Sequence, residues 1–343
     1  MMKRALLYGV YFLFCLACFV LAFEVIYRYQ VVDFFRPELR SNNRPEDLKD
    51  SRRKTLLAMG DSFSVVPAGE TWVDFLRTKL PSYRMINAAV SATGIFESLY
   101  MAPRRFREFK PQVFIYQIYV GNDLQDIRRP LNWHTMSLPR YTYGFLCSYA
   151  GLRSLTFVNY RLAQLLYNFR PREFQAQAPR VDDPPFSPAT YPLSVRIYTQ
   201  AHPADLEDTV LARGERSHDL DTLISGVKKL MGYAGRDCHK YIVVVPDAGQ
   251  VSEFYLDHLK QLGARVHDPQ ELQRDDYPFL ARLRQGLTLQ DIEILNPLPL
   301  FQKRERQGQK LYFSTDTHLK RIGQKVLGEF ILARLQADGL APK

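Results

Sequence analysis

Thr55-Leu56-Leu57-Ala58-Met59-Gly60-Asp61-Ser62-Phe63-Ser64 is the stretch from which the rest of the chain is read. A short apolar run stops at a glycine, and Asp and Ser follow as turn formers. From Thr71 onward, Trp72, Phe75, Leu76 and Leu80 recur at helical spacing. The pattern predicts strand, tight turn, loop and helix, with Ser62 directly beyond the end of the strand. In open α/β sheets that edge is where ligands bind, and a nearby helix start adds outward-facing amides.

Working outward, residues 85–90 read as a second strand and 113–120 as a third, the latter rich in β-branched and aromatic residues. Residues 241–245 are almost wholly apolar, as in a parallel strand buried on both faces. Helical patterns lie between, at 219–233 and 251–262, and the chain closes with one at 319–337. Alternating strands and helices predict a doubly wound α/β sandwich. Between Arg128 and Arg216 the pattern changes: Pro and Tyr become frequent and no clear strand appears. This reads as an insertion or cap of about 129–216, containing an amphipathic helix at 151–169 suited either to packing on the domain or to a membrane surface.

Polar residues cluster at the predicted strand ends. Asn87 precedes the small-residue run Ala88-Ala89-Val90-Ser91-Ala92-Thr93-Gly94. Asn122 and Asp123 follow Gly121 at the end of 113–120, and Asp316 and His318 stand just before the last helix. Taken together they describe a site rather than a set of helix caps.

These blocks resemble the SGNH/GDSL hydrolase family, in the expected order across residues 55 to 335. Gly60-Asp61-Ser62-Phe63-Ser64 is similar to the block that carries the family's nucleophile. The 87–94 loop is similar to the one that lends a backbone amide to the oxyanion. Gly121-Asn122-Asp123-Leu124 matches the block whose Asn side chain is the other donor. Asp316-Thr317-His318-Leu319, followed by Gly323, matches the block holding acid and base. The resemblance implies a three-layer α/β/α sandwich with a parallel sheet, and a Ser62–His318–Asp316 triad. The oxyanion would be held by Ser62, Ala92 or Gly94, and Asn122, with Asp61 and Asp123 supporting.

The sequence departs from the family at three places. Ala92 stands where a loop glycine is usual, and Val120 where Gly usually lies two before the Asn. Thr315 occupies the usual place of the acid, so Asp316 must act from two residues before His318. That closer spacing also occurs among SGNH-like proteins that acetylate envelope polysaccharides. In the alginate-acetylating ones, however, Asp-x-His precedes the serine block. The expectation is a serine esterase acting on an O-acyl ester of a lipid or envelope glycan. The alternatives are an O-acetyltransferase and a catalytically silent binding or assembly protein. No metal or organic cofactor is implied, since acyl transfer through a serine ester needs none.

Upstream, residues 5–23 are uncharged and mostly apolar, with Lys3 and Arg4 before them and Glu24 and Arg28 after. A helix of that length covers about 28 Å, close to the bilayer's hydrocarbon thickness. The run is longer than a signal-peptide core and lacks a small-x-small exit, so an uncleaved anchor over 1–28 is expected, meeting the membrane through 5–27. A solvated tether is expected over 29–54 and the hydrolase domain over 55–343. The implied location is a bacterial inner membrane, single pass, with the domain outside the cytoplasm.

The 343 residues are 46% hydrophobic and 13% aromatic, which excludes general disorder. A net charge of +10 suits anionic surfaces, but no zinc-finger spacing or dense basic block points to nucleic acid. Cys15 and Cys18 fall inside the apolar run, where they read as packing residues; Cys147 and Cys238 leave at most one disulfide elsewhere. Trp72 reads as core or pocket wall. The histidines other than His318 (134, 202, 218, 239, 258 and 267) read as surface or capping residues.

Overall fold

The computed structural model describes residues 2–50, 52–127, 146, 152–168, 183–288 and 291–342. They divide into two compact units, one drawn from Met1–Arg36 and Trp133–Gln175, the other from Pro37–Asn132 and Ala176–Lys343.

In the larger unit, β1 (Lys54–Met59), β2 (Tyr83–Asn87), β3 (Val113–Tyr119), β4 (His239–Val245) and β5 (Glu293–Leu295) form one sheet in the order β2-β1-β3-β4-β5. All four pairings are parallel. β2 and β3 are buried along their whole length, as a parallel sheet covered on both faces requires. The predicted strands lie within a few residues of those found; residues 88–90 belong to a loop, and β5 carried too little pattern to be read.

The strand order also fixes where the helices go. The chain moves from β1 outward to β2, then crosses back over β1 to β3. Right-handed crossovers taken in opposite directions put their helices on opposite faces. Helix Trp72–Lys79 packs with the terminal helix Arg321–Ala337, where a Cβ on Gly328 would come within 2.5 Å of the Phe75 ring. Helix Ile95–Phe109 packs with Gly214–Met231, where Gly226 meets Ile95 just as closely. Winding therefore reverses between β1 and β3, and a crevice opens at their carboxyl ends.

Part of the segment expected to be a solvated tether is folded onto the sheet. Two short helices, Arg36–Ser41 and Pro45–Lys49, precede β1, with Leu39 and Asp47 buried. Asn43 holds both backbone groups of Asn87, its amide donating to the carbonyl at 2.7 Å and its oxygen accepting the N–H at 2.8 Å. The side chain thus stands in for a strand at the open edge of the sheet. Asp47 pairs with Arg53 and Arg77 at 2.9 and 3.1 Å.

The smaller unit contains helix Met2–Arg28 and helix Ser154–Asn168. Within Leu7–Arg28 of the first, an 18-residue stretch has a mean hydropathy of 2.4, making the helix long and apolar enough to cross a membrane. Much of the insertion, including His134, Cys147, Gly151, Phe169 and Arg170, lies outside the described residues.

Candidate active site

Ser62 opens a turn of 3-10 helix, Ser62–Ser64, three residues beyond β1. Gly60 adopts φ of +156°, and a Cβ there would lie 2.6 Å from Gln117 Oε1, so only glycine lets the chain turn this close to β3. Asp61 caps the turn, its Oδ1 accepting from the Phe63 amide at 2.9 Å. Gln117 on β3 accepts from the Asp61 amide at 3.2 Å and from Ser64 Oγ at 3.1 Å. Gln324, fully buried on the terminal helix, donates to the Phe63 and Val66 carbonyls at 2.9 and 2.8 Å and accepts the Trp72 amide at 2.9 Å. Trp72 Nε1 donates to Ser64 Oγ at 3.1 Å, so this fully buried indole supports the turn.

His318 and Asp316 arrive on a loop that precedes the terminal helix. An isolated bridge between Tyr312 and Leu319, with the Phe313 amide donating to the His318 carbonyl at 3.1 Å, closes that loop. Gly323 allows it, because a Cβ there would sit 2.4 Å from the Leu311 carbonyl oxygen. The imidazole Nε2 lies 2.8 Å from Ser62 Oγ, and Nδ1 lies 2.6 Å from Asp316 Oδ1. An ionised carboxylate only accepts, so Nδ1 carries the proton and Nε2 is left to accept from the serine hydroxyl. The same Asp316 oxygen takes the His318 amide at 3.1 Å. A two-residue spacing thereby lets one oxygen hold both the backbone and the ring of the histidine. The Phe63 ring lies 5.2 Å from the imidazole and 4.0 Å from Tyr119, fixing the ring plane from below.

The charges in this cluster oppose burial. Burial would push the Asp316 carboxyl up, but the His318 charge and the hydrogen bonds from His318 and Thr317 hold it below the ordinary value. Burial would likewise lower His318, yet Asp316 and, more weakly, Asp61 hold it above 6.5. Asp61 goes the other way: burial raises it despite the Phe63 amide and the His318 charge, and its Oδ2 has no partner.

The expected oxyanion residues sit on the loops after β2 and β3, the strands flanking β1. Asn87 ties the first loop to the serine turn, donating to the Ser64 carbonyl at 2.6 Å and accepting the Ala89 amide at 3.1 Å. Asn42 holds the Ala89 carbonyl at 2.9 Å. Ala92 adopts φ of +60°, the left-handed region that glycine enters without strain. Gly94 caps helix Ile95–Phe109, and its amide donates to the Glu97 carboxylate at 3.1 Å, the one half of a capping box that a glycine can make. Gly121 is required by the Tyr119 ring, which a Cβ would meet at 2.4 Å. Asn122 is half-buried, with Oδ1 making no hydrogen bond, and Asp123 accepts the Tyr119 amide at 3.0 Å.

The other described histidines lie apart from this cluster. His267 pairs with Glu207 at 2.8 Å, His258 stacks on Phe186 at 3.9 Å, His202 stacks on Tyr198, and His218 and His239 are exposed. Cys238 is a buried free thiol that burial pushes up to about 12. Among the described residues no group of His, Cys, Asp and Glu is placed to hold a metal ion.

Gln117, Gln324 and Asp183 were not singled out by the sequence reading. Asp183 accepts the Ser314 amide and hydroxyl, both at 2.8 Å, and pairs with Lys320 at 2.5 Å, bracketing the Asp316–His318 loop. Each is a polar residue in an unremarkable sequence context, so only the tertiary contact gives it meaning.

No family model matches the chain, and no curated protein does. Solved structures similar to it include two crystal structures. A crystal structure of TesA is 13% identical with a TM-score of 0.38, covering 83% of this chain and 99% of that one. A second crystal structure is 10% identical with a TM-score of 0.38, covering 84% of this chain and 99% of that one.

Proposed function

We propose that the protein is a serine esterase of SGNH type that acts on an O-acyl ester of a membrane lipid or envelope glycan. The observation that carries this reading is the Asp316–His318–Ser62 relay, with hydrogen bonds of 2.6 and 2.8 Å. His318 removes the hydroxyl proton as Ser62 attacks the ester carbonyl; Asp316 holds the ring and stabilises its charged form. The oxyanion is taken by the amide of Ser62, by the amide of Ala92 or Gly94, and by the Asn122 side chain. The leaving alcohol takes the proton from His318, and water then releases the acyl group by the same steps in reverse.

One observation supports the choice over a silent relative, which is expected to hold its histidine out of reach of the serine, whereas here the two are in hydrogen-bond contact. The long apolar helix near the N-terminus supports attachment to a membrane; the proposal takes this to be a bacterial inner membrane with the hydrolase unit on its outer side.

The test is labelling of the detergent-solubilised chain with a fluorophosphonate probe. Labelling that is lost in Ser62→Ala and His318→Ala supports an activated serine. A folded chain that does not label, or labels equally without Ser62, overturns the reading. Acetyl and longer-chain esters, offered with and without a glycan acceptor, then separate hydrolysis from transfer.

A further inference from the structure

We infer that helix Ser154–Asn168 lies on the bilayer surface where helix Met2–Arg28 leaves it, with Val158, Leu162 and Leu165 set into the lipid interface. The inference rests on the reading of Met2–Arg28 as a membrane span.

The depth of the second helix is set by one residue. Glu24, immediately beyond the apolar run, is buried at 5% exposure. Its two oxygens accept the amides of Arg153 and Ser154 at 3.0 and 2.8 Å, and Arg28 pairs with it. These amides open helix Ser154–Asn168 and have no partner within it, so the carboxylate caps the helix and complements its dipole. The start of the helix is therefore held at the level where a bilayer-length apolar segment ends.

The rotation of the helix is set by its aromatic face. The Phe157 ring packs 4.8 Å from Phe34, 5.6 Å from Phe35 and 6.0 Å from Tyr27. Arg161 lies over Phe157 at 5.1 Å and donates to the Phe34 carbonyl at 2.7 Å. At about 100° per residue, positions 158, 162 and 165 form a separate stripe roughly 100° around the helix from 157, 160 and 161. Val158, Leu162 and Leu165 are 42%, 48% and 56% exposed. Val31 and Val32, just past the span, are also exposed at 66% and 50%, beside Tyr29 at 78%.

The bilayer is the occupant because the stripe continues an apolar surface that already belongs to lipid. Its helix starts at the exit of the span, and Tyr29 is the kind of aromatic residue that sits at headgroup level. Arg153, exposed at the start of this helix, stands where it can meet anionic headgroups. An aliphatic stripe beside a cationic rim is the pattern of an interfacial helix.

The test uses the full chain with Cys15, Cys18, Cys147 and Cys238 replaced, reconstituted into vesicles of phosphatidylethanolamine and phosphatidylglycerol. A nitrobenzoxadiazole fluorophore is attached singly through Leu162→Cys, Leu165→Cys, Asn159→Cys or Leu13→Cys. Lipids carrying a nitroxide near the headgroup should quench labels at 162 and 165 but not at 159, and deep nitroxides should quench the label at 13. Quenching at 13 without quenching at 162 and 165 overturns the interfacial helix and leaves the span standing. Quenching at none of the positions overturns both. A change at 162 that appears only at high protein-to-lipid ratio assigns the stripe to a second copy and overturns the inference.

Discussion

His318 Nε2 and Ser62 Oγ stand 2.8 Å apart although 256 residues separate them in sequence. The contact joins the turn after the first strand to the loop before the last helix, and it makes the functional role of Asp316 testable. Asp316→Asn keeps the shape of the side chain but removes the charge that selects the reactive tautomer. Turnover of an activated ester should fall by about 10³–10⁴ while KM and the melting temperature change little. Steady-state kinetics and thermal melts on the same preparations check this.

The pH dependence follows from the same pair. His318 acts as a base only when neutral, and Asp316 holds its pKa above 6.5 in the folded state. Activity should rise with pH through an inflection above that value, and in Asp316→Asn the inflection should move toward acid. For stability the sign reverses. The contribution of His318 is complete below its unfolded value and is lost as pH rises through its folded one. Asp316, held low, contributes above its ordinary value of 3.8 and ceases to do so as pH falls through its folded one. Melting temperatures of His318→Gln and the parent chain should therefore converge as pH is raised.

Asn122→Ala tests the proposed oxyanion hole with little effect on folding. The Asn122 Oδ1 makes no hydrogen bond, so truncation leaves no internal partner of that oxygen unsatisfied. Asn122→Ala should lower turnover by about 10²–10³ with the melting temperature nearly unchanged. A loss in KM alone would assign the side chain to substrate binding.

Ala92 adopts a backbone conformation that disfavours a Cβ. Ala92→Gly relieves that strain, partly offset by the greater freedom of the unfolded chain, and should stabilise the fold by up to about 1 kcal/mol. Chemical denaturation measures it; a destabilised variant would show that packing around the methyl outweighs the strain.

Asp183 should act on the acid–base loop without touching substrate. Asp183→Ala leaves the half-buried Ser314 amide and Lys320 without their partner, at a cost of about 1–3 kcal/mol in stability. The loosened loop should lower kcat more than it raises KM, and Asp183→Asn should recover part of both losses.

Much of the sheet was legible because parallel strands buried on both faces must be continuous apolar runs, as 55–59, 113–120 and 241–245 are. β5 was not, since Glu293-Ile294-Leu295 is too short to show a period. The tether over 29–54 looked solvated from its Arg, Asp and Asn content, yet Asn42 and Asn43 bond the loop after β2 and the sheet edge, and Asp47 pairs with Arg53 and Arg77. Polar composition cannot distinguish water from a backbone partner. In the site, Ser62, Asp316 and His318 stood out because strand ends and a resemblance drew attention to them. Gln117 and Gln324 did not, because a glutamine bonding across a fold has no local signature.

The reliance of the serine turn on Gln324 has a consequence for the newly made chain. At about 5–20 residues per second, the ribosome completes His318 some 13–50 s after Ser62. Throughout that interval the serine lacks its base, and the carbonyls of Phe63 and Val66 lack their donor. A chain cut short before His318 would carry the serine with neither a proton acceptor nor the glutamine that frames its turn. On the proposed mechanism, a growing chain gains a reactive, framed serine only once residues 318 to 324 have been added.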